Sequence, residues 1–227
     1  MPFPGLPERL RRVQECIAAA VVRGGHGQTV EIVAVTKTHE ADAVQAAWDS
    51  GLRSVGENKV QEALGKMDQV SAPVAWHLIG HLQRNKARFA TRFDLIHSMD
   101  SPRLADALSE VGVREGKRMR VLAQVNASGE GSKGGYSLED LRGDAERLLT
   151  LDGIEVVGSM TMAPFDAEEE VLRLTFAGAR AAREALRAAG HPARELSMGM
   201  SNDYELAVEE GATMVRLGTI LFGERTP

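Results

Sequence analysis

Eight short apolar runs alternate with stretches of helical spacing along nearly the whole chain, and this alternation restricts the possible folds more than any other feature. The runs that suit buried strands lie at 30–35, 52–55, 75–79, 95–98, 119–125, 154–159, 195–198 and 213–217. Helical patterns follow most of them, at 40–50, 59–67, 84–90, 102–113, 138–149, 168–189 and 203–210. Strands that alternate with helices in this way indicate a parallel sheet with right-handed crossover connections.

Eight strand–helix units can close into a barrel or spread into an open sheet. In roughly 200–250 residues they favour the closed (β/α)8 form. An open, doubly wound sheet would carry a glycine-rich turn after its first strand, whereas Thr36-Lys37-Thr38-His39 stands there. We therefore predict an α/β fold, a single (β/α)8 TIM-type barrel domain over residues 1–227, with an extra N-terminal helix at 6–23.

The composition bounds where the protein works and what it binds. The chain has 27 lysines and arginines against 32 acids, a net charge of −5, which gives no overall positive field for nucleic acid or an anionic membrane. Its one cysteine excludes an intrachain disulfide and a multi-cysteine metal site. No apolar run approaches the roughly 20 residues of a membrane helix, and the N-terminus does not resemble a secretory signal. We expect a cytoplasmic monomer, or at most a weak dimer, without nucleic-acid or membrane partners.

Lys37 is the first candidate for chemistry. It follows the predicted strand at 30–35, and because side chains alternate along a strand, Val33, Val35 and Lys37 share a face. If this face points into the barrel, the amine lies at its mouth above an apolar floor. Desolvation lowers the pKa of a lysine, and the neutral amine is a nucleophile that forms Schiff bases. The alternative is a solvated lysine at the end of a strand.

The last two predicted strands end in segments that suit an anion. Ser201 stands just before a predicted helix, whose N-terminal N–H groups favour negative charge, although simple helix capping is the alternative. Arg216 alternates with apolar residues and would point into the barrel, where an unpaired charge is costly and a ligand is a natural partner. Gly218 and Thr219 follow, where barrels often bind phosphate. A Schiff-base lysine on the first strand and a phosphate cradle after the last two suggest pyridoxal 5′-phosphate (PLP).

Several ordered motifs resemble one known family over nearly the whole chain. They are VAVTK at 33–37, GEN at 56–58 with QE at 61–62, WHLIGHLQRNK at 76–86, IHSMD at 96–100, QVN at 124–126, SKGG at 132–135, and the segments 197–203 and 215–223. In these motifs the sequence resembles the pyridoxal phosphate homeostasis protein family, also called the proline synthase co-transcribed family. The resemblance implies a barrel like the N-terminal domain of alanine racemase.

The resemblance also implies PLP held covalently on Lys37 as a Schiff base. It places the phosphate on the loops after the last two strands, the pyridine nitrogen near a guanidinium and the ring near an amide. The residues that match these positions are Ser201, Gly218 and Thr219 for the phosphate, Arg216 for the nitrogen and Asn58 for the ring. One departure is the glycine-rich stretch after Lys133, so we expect a mobile loop there and assign Lys133 no role.

The histidines do not indicate a metal site. A metal site would need two or three converging ligands, and although His77 and His81 are four residues apart, they straddle a strand–loop junction and do not share one helix face. We expect them to form hydrogen bonds around the barrel mouth. His97 is expected to be a satisfied polar group near the mouth and not a catalyst.

The predicted partner of the ring nitrogen decides which chemistry is expected. Arginine cannot accept a proton there because its own pKa exceeds about 12, so Arg216 would leave the nitrogen unprotonated and the cofactor a weak electron sink. Racemisation also needs a base on each face of the substrate, and we expect no second domain to supply the second base. We therefore predict no catalytic residues and a PLP carrier or buffer that delivers PLP to apoenzymes. The alternatives are a PLP-dependent amino-acid racemase and, less favoured, a Schiff-base aldolase.

Overall fold

In the computed structural model, which describes residues 3–127 and 134–223, eight parallel strands close into a barrel surrounded by helices. The strands are β1 Glu31–Val35, β2 Ser54–Glu57, β3 Ala75–Leu78, β4 Leu95–Met99, β5 Met119–Gln124, β6 Ile154–Met160, β7 Glu195–Ser197 and β8 Met214–Leu217. The helices are α1 Leu6–Gly24, α2 Asp42–Asp49, α3 Val60–Met67, α4 Pro102–Glu115, α5 Leu138–Leu149, α6 Glu169–Ala188, α7 Tyr204–Glu209 and α8 Thr219–Phe222. Each strand pairs with the next, and β8 pairs with β1. The predicted (β/α)8 barrel with its extra N-terminal helix is confirmed.

Side chains from the strands fill two separate cores. Because successive residues of a strand point to opposite faces, β8 directs Met214 into the barrel and Val215 towards the helices. The interior core is small and apolar, and it consists of Val33, Leu95, Leu122, Val157, Met160 and Met214. The larger core lies between the barrel wall and the surrounding helices and is rich in leucine, alanine and valine. The interior core is the apolar floor that the alternation around Lys37 predicts.

The helical segment between β3 and β4 differs from the prediction. It forms a 3₁₀ helix over Arg84–Arg92 where the spacing predicts an α-helix at 84–90. Ala87, Ala90 and Phe93 are buried at intervals of three residues. A 3₁₀ helix has three residues per turn, so it aligns this row on one side, whereas an α-helix would turn part of it away.

The N-terminal helix packs against the last strand–helix units of the barrel. The Arg9 side chain donates from Nε to the Leu221 carbonyl at 2.6 Å, and α1 packs against α7 and α8. This contact fixes α8, a short helix that the sequence patterns did not reveal. Within residues 3–127 and 134–223, no helix combines the length and the apolar character needed to cross a membrane. Lys133 lies outside the described residues.

Candidate functional site

Lys37 and Asn58 follow paired positions of β1 and β2 at the carboxyl end of the barrel. The register pairs Val35 with Gly56, and two residues further along each chain stand Lys37 and Asn58. Both are half-buried. Val33 belongs to the interior core, and Lys37 lies in the turn that follows the end of β1.

The loop after β8 passes close to β1 on the other side of Lys37. A Cβ placed on Gly218 would lie 3.3 Å from the Val35 carbonyl oxygen and 3.4 Å from its Cβ, so a side chain at this position would crowd β1. Thr219 begins α8 and is exposed. The close approach places the first turn of α8 beside the segment that carries Lys37.

The loop after β7 lies beside the loop after β8 at the same end of the barrel. The half-buried Ser201 accepts a hydrogen bond at its Oγ from the Ile220 N–H at 3.4 Å. Gly199 has φ +92°, and a Cβ there would lie 2.7 Å from the Cβ of Ala207, so glycine is needed for this turn. Five of the six residues proposed from sequence follow the ends of neighbouring strands: Lys37, Asn58, Ser201, Gly218 and Thr219. The sixth, Arg216, lies within β8, one residue before its end.

Three aromatic rings connect the loops at this end of the barrel to the N-terminal segment. Phe3, His39 and Phe222 form a triangle with ring centroids 5.2–5.5 Å apart. His39 lies two residues after Lys37, and Phe222 ends α8. The triangle therefore holds the segment after β1 against the last helix.

Arg216 is a cation buried inside the barrel, with 4% of its surface exposed. Its Nη1 donates to the Ser197 hydroxyl at 2.7 Å and its Nη2 to the Thr161 carbonyl at 2.9 Å. Neither partner carries a charge. Burial lowers the pKa of Arg216 to about 10, and the nearby Asp203 carboxylate only partly opposes this. The inward direction predicted for Arg216 is found, and its two protein partners are new.

Two histidines join Arg216 and Ser197 in a hydrogen-bonded polar layer across the barrel. His97 Nδ1 lies 2.9 Å from the Ser197 hydroxyl, and His97 Nε2 lies 3.0 Å from His77 Nδ1. Arg216 can only donate to Ser197, so the hydroxyl proton of Ser197 is satisfied when it points to His97 Nδ1. In this assignment His97 donates from Nε2 to His77, and both rings are neutral. Burial also favours two neutral rings, since it lowers the pKa of His77 to about 4 and that of the fully buried His97 well below its ordinary value.

The predictions for these histidines are therefore only partly right. His97 is a satisfied polar group, as predicted, but it is fully enclosed in the barrel and not at its rim. His77 is also buried, whereas the exposed His81 bonds the Asp100 carboxylate at 3.0 Å. In the described ranges, no three histidine, cysteine or acidic side chains form a group that could hold a metal ion.

Behind Lys37 lies an ionic group that we call the Lys66 cluster, which consists of Lys66, Glu57 and Glu62. Lys66 Nζ donates to Glu57 at 2.7 Å, to Glu62 at 3.0 Å and to the Thr36 carbonyl at 2.8 Å. Glu57 also accepts from the Thr36 hydroxyl at 2.5 Å. Burial raises the pKa of Glu57 despite these bonds. Partial burial would also raise the pKa of Glu62, but bonds from the Thr38 N–H and Lys66 hold it below its ordinary value.

Sequence reasoning missed the Lys66 cluster and the series of hydrogen bonds that joins Ser197, His97 and His77. The signal for the cluster was present, because Glu62 and Lys66 stand four residues apart on a predicted helix. The second strand was predicted to end before Glu57, because a charged residue is rarely fully buried in a strand. The histidine chain carried no such signal, since its members are 20 and 100 residues apart.

The donor set at this end of the barrel fits PLP. A half-buried lysine can bind an aldehyde, and a buried guanidinium with neutral partners can donate to a pyridine nitrogen. Ser201, Thr219 and the first turn of α8 offer hydroxyl and N–H donors for a phosphate. The narrow approach at Gly218 leaves the backbone there free of a side chain that would fill the cradle.

Known proteins match this chain over nearly its whole length. The family model described as alanine racemase, N-terminal domain, matches residues 17–226. The pyridoxal phosphate homeostasis protein of Aquifex aeolicus is 40% identical over 96% of this chain and 97% of its own length, and that of Pseudomonas aeruginosa is 42% identical over 94% and 91%. The structure of PipY from Synechococcus elongatus PCC7942 with PLP bound matches with a TM-score of 0.85 and 37% identity, over 96% of this chain and all of PipY.

Proposed function

Because the chain belongs to the pyridoxal phosphate homeostasis protein family, we propose that it binds PLP covalently through Lys37 and serves PLP homeostasis as a carrier or buffer. The observation that carries this proposal is the convergence of Lys37, Arg216 and the loops after β7 and β8 at one end of the barrel. A close structural relative, PipY, has been solved with PLP bound.

Each residue of the site has a distinct part in this proposal. Bound PLP supplies an aldehyde, a ring nitrogen and a phosphate. The Lys37 amine attaches the aldehyde carbon, and the aldehyde oxygen leaves as water. Ser201, Gly218 and Thr219 hold the phosphate, and Asn58 lies against the ring.

Arg216 determines the electronic character of the bound ring. Its guanidinium can donate a hydrogen bond to the ring nitrogen, but it has no acceptor atom for the N–H of a protonated ring nitrogen. Even with its pKa lowered to about 10, Arg216 is protonated at neutral pH. The nitrogen therefore stays unprotonated and the ring withdraws electrons weakly, which favours holding PLP over amino-acid chemistry.

The covalent attachment is tested on the purified protein. Its visible absorption and intact mass should show bound PLP, and borohydride reduction followed by peptide mapping should find the label on Lys37. Lys37→Ala should lose the label while retaining the wild-type circular dichroism. Lys59→Ala, at an exposed lysine of the same rim, is the matched control and should keep it. A label on another lysine, or a wild-type protein without PLP, would refute the proposal.

The proposed carrier role is tested by transfer. The PLP-loaded protein should restore activity to an apoenzyme that depends on PLP, without itself converting amino acids. The alternative, an amino-acid racemase, is favoured by the match to the alanine racemase N-terminal domain. Exchange of the α-hydrogen of alanine in deuterium oxide at ordinary enzyme rates would decide for the racemase. We further propose that the protein is cytoplasmic and that it is a monomer or a weak dimer. Light scattering would measure its oligomeric state.

A further inference from the structure

The turn that follows Lys37 holds its backbone in an unfavourable conformation. Thr38 has φ +67°, in the left-handed region that a β-branched residue rarely adopts. Such a residue persists only where its surroundings hold it. The Thr38 N–H donates to the Glu62 carboxylate. Glu62 thus fixes the strained peptide immediately after Lys37.

The peptide before Lys37 is held by the same cluster. Lys66 donates to the Thr36 carbonyl at 2.8 Å and to Glu62 at 3.0 Å, so one ammonium group links the two sides of Lys37. The Lys66 side chain is only 7% exposed, and Glu57 occupies its remaining donor at 2.7 Å. All three ammonium protons therefore have an acceptor.

The Lys66 cluster lies outside the barrel wall. A Cβ on Gly56 would meet the Val33 and Ile79 side chains at 3.0 and 3.1 Å, so position 56 faces the interior. Glu57, the next residue of β2, faces the surrounding helices. The barrel wall therefore separates the cluster from a ligand at the carboxyl end of the barrel, and its hydrogen bonds on that side go to the backbone around Lys37.

We propose that Glu62, held by Lys66, is a positioning residue that fixes the strained turn after Lys37 and so orients its amine towards PLP. This inference rests on the proposed function. A buried ionic group stabilises a fold no better than packed apolar residues would. Its bonds to the peptide groups on both sides of one lysine give it a positional role instead.

Glu62→Ala removes the acceptor and tests the proposal. Its side chain is 23% exposed, so we expect the variant to fold. Without PLP, the Thr38 amide should exchange its hydrogen faster. With PLP, dissociation into an apoenzyme trap should be about ten-fold faster, as for the loss of one charge-assisted hydrogen bond. Glu62→Gln retains an acceptor and should recover most of both properties. Glu8→Ala, which breaks the exposed i,i+4 pair with Arg12 on α1, is the matched control and should change neither.

Thr38→Gly separates positioning from stability. Glycine adopts a positive φ without strain, so this variant should have an unchanged or higher thermal midpoint. It should nevertheless release PLP faster, because the turn is no longer restricted. A purely structural role for the cluster would not produce that combination.

The outcomes distinguish this inference from the function on which it rests. A wild-type protein without a borohydride-fixed label on Lys37 refutes the proposed function. If the label is present but Glu62→Ala and Thr38→Gly release PLP at the wild-type rate, the positioning role alone is wrong. The positioning role is also wrong if Glu62→Ala lowers only the thermal midpoint.

Discussion

Protonation of the buried histidine pair should destabilise the PLP-free protein in mild acid. Burial lowers the pKa of His77 from 6.5 to about 4, with the Asp94 carboxylate opposing and Arg120 assisting. Burial, His77 and Arg216 likewise lower the pKa of His97. Between pH 6.5 and about 4 the unfolded chain therefore binds more protons than the folded protein. Stability is fully present above pH 6.5 and is lost as the pH falls towards 4.

The expected size follows from the two pKa values of His77. With 6.5 in the unfolded chain and about 4 in the folded protein, about 2 kcal/mol of the free energy of unfolding is lost between about pH 7.5 and pH 5. Glu57 and Asp203 act in the opposite direction, because burial raises the pKa of both carboxyls and their protonation favours the folded state. The contribution of His77 therefore has to be measured as a difference between two proteins.

His77→Gln provides that difference, because glutamine keeps an oxygen that can accept from His97 but does not titrate. Urea unfolding of the PLP-free wild type and of the variant should be compared at about pH 7.5, 6 and 5. The wild type should lose about 2 kcal/mol more than the variant across this range. His26→Gln, at an exposed histidine, is the control. Parallel curves for the wild type and His77→Gln would refute the assignment of His77 as a buried, neutral ring.

Three further predictions concern packing and hydrogen bonds. Ser197→Ala removes one hydrogen-bond partner from each of Arg216 and His97 and should cost about 1–3 kcal/mol in urea unfolding, whereas Ser98→Ala removes a buried hydroxyl that has no partner in the described structure and should cost less than about 0.5 kcal/mol. Gly80→Ala places a Cβ 2.4 Å from the Asn58 carbonyl oxygen, so it should destabilise the protein by about 1–3 kcal/mol and weaken PLP binding in a fluorescence titration. Gly143→Ala, in an exposed and open part of α5, should raise the free energy of unfolding by about 0.5–1 kcal/mol; a loss would contradict the open surroundings seen there.

The barrel was predictable because its strands are apolar runs separated by helices of ordinary length. The strand bounds were less certain where burial and strand formation do not coincide. The second strand was predicted at 52–55 but lies at Ser54–Glu57. Leu52 is buried before the strand begins, and Glu57 is fully buried within it. A single sequence gives no indication that Lys66 will neutralise that carboxylate from a neighbouring helix.

The rim of the site was predictable to the extent that each residue lies near or just after the carboxyl end of a strand. Lys37, Arg216 and Gly218 could be placed at one end of the barrel because parallel strands end together. Contacts across the interior were not predictable in the same way. His97 meets Ser197 only because the closed sheet brings β4 and β7 to opposite sides of a narrow interior. The register and stagger that set such meetings are not encoded in periodicity.

The polar layer above the interior core connects the stability of the barrel to its ligand. Barrel interiors are usually filled by branched apolar side chains, yet here Arg216 is buried against a hydroxyl and a carbonyl. A carboxylate partner would have satisfied the charge at lower cost, but it would also have been a proton acceptor or donor beside the ligand. The neutral chain through Ser197 to His97 orients the guanidinium without adding a charge. Arg216 retains N–H donors beyond those that the described residues accept, and an aromatic nitrogen, which accepts a hydrogen bond without contributing a charge, is the partner that such a cation suits.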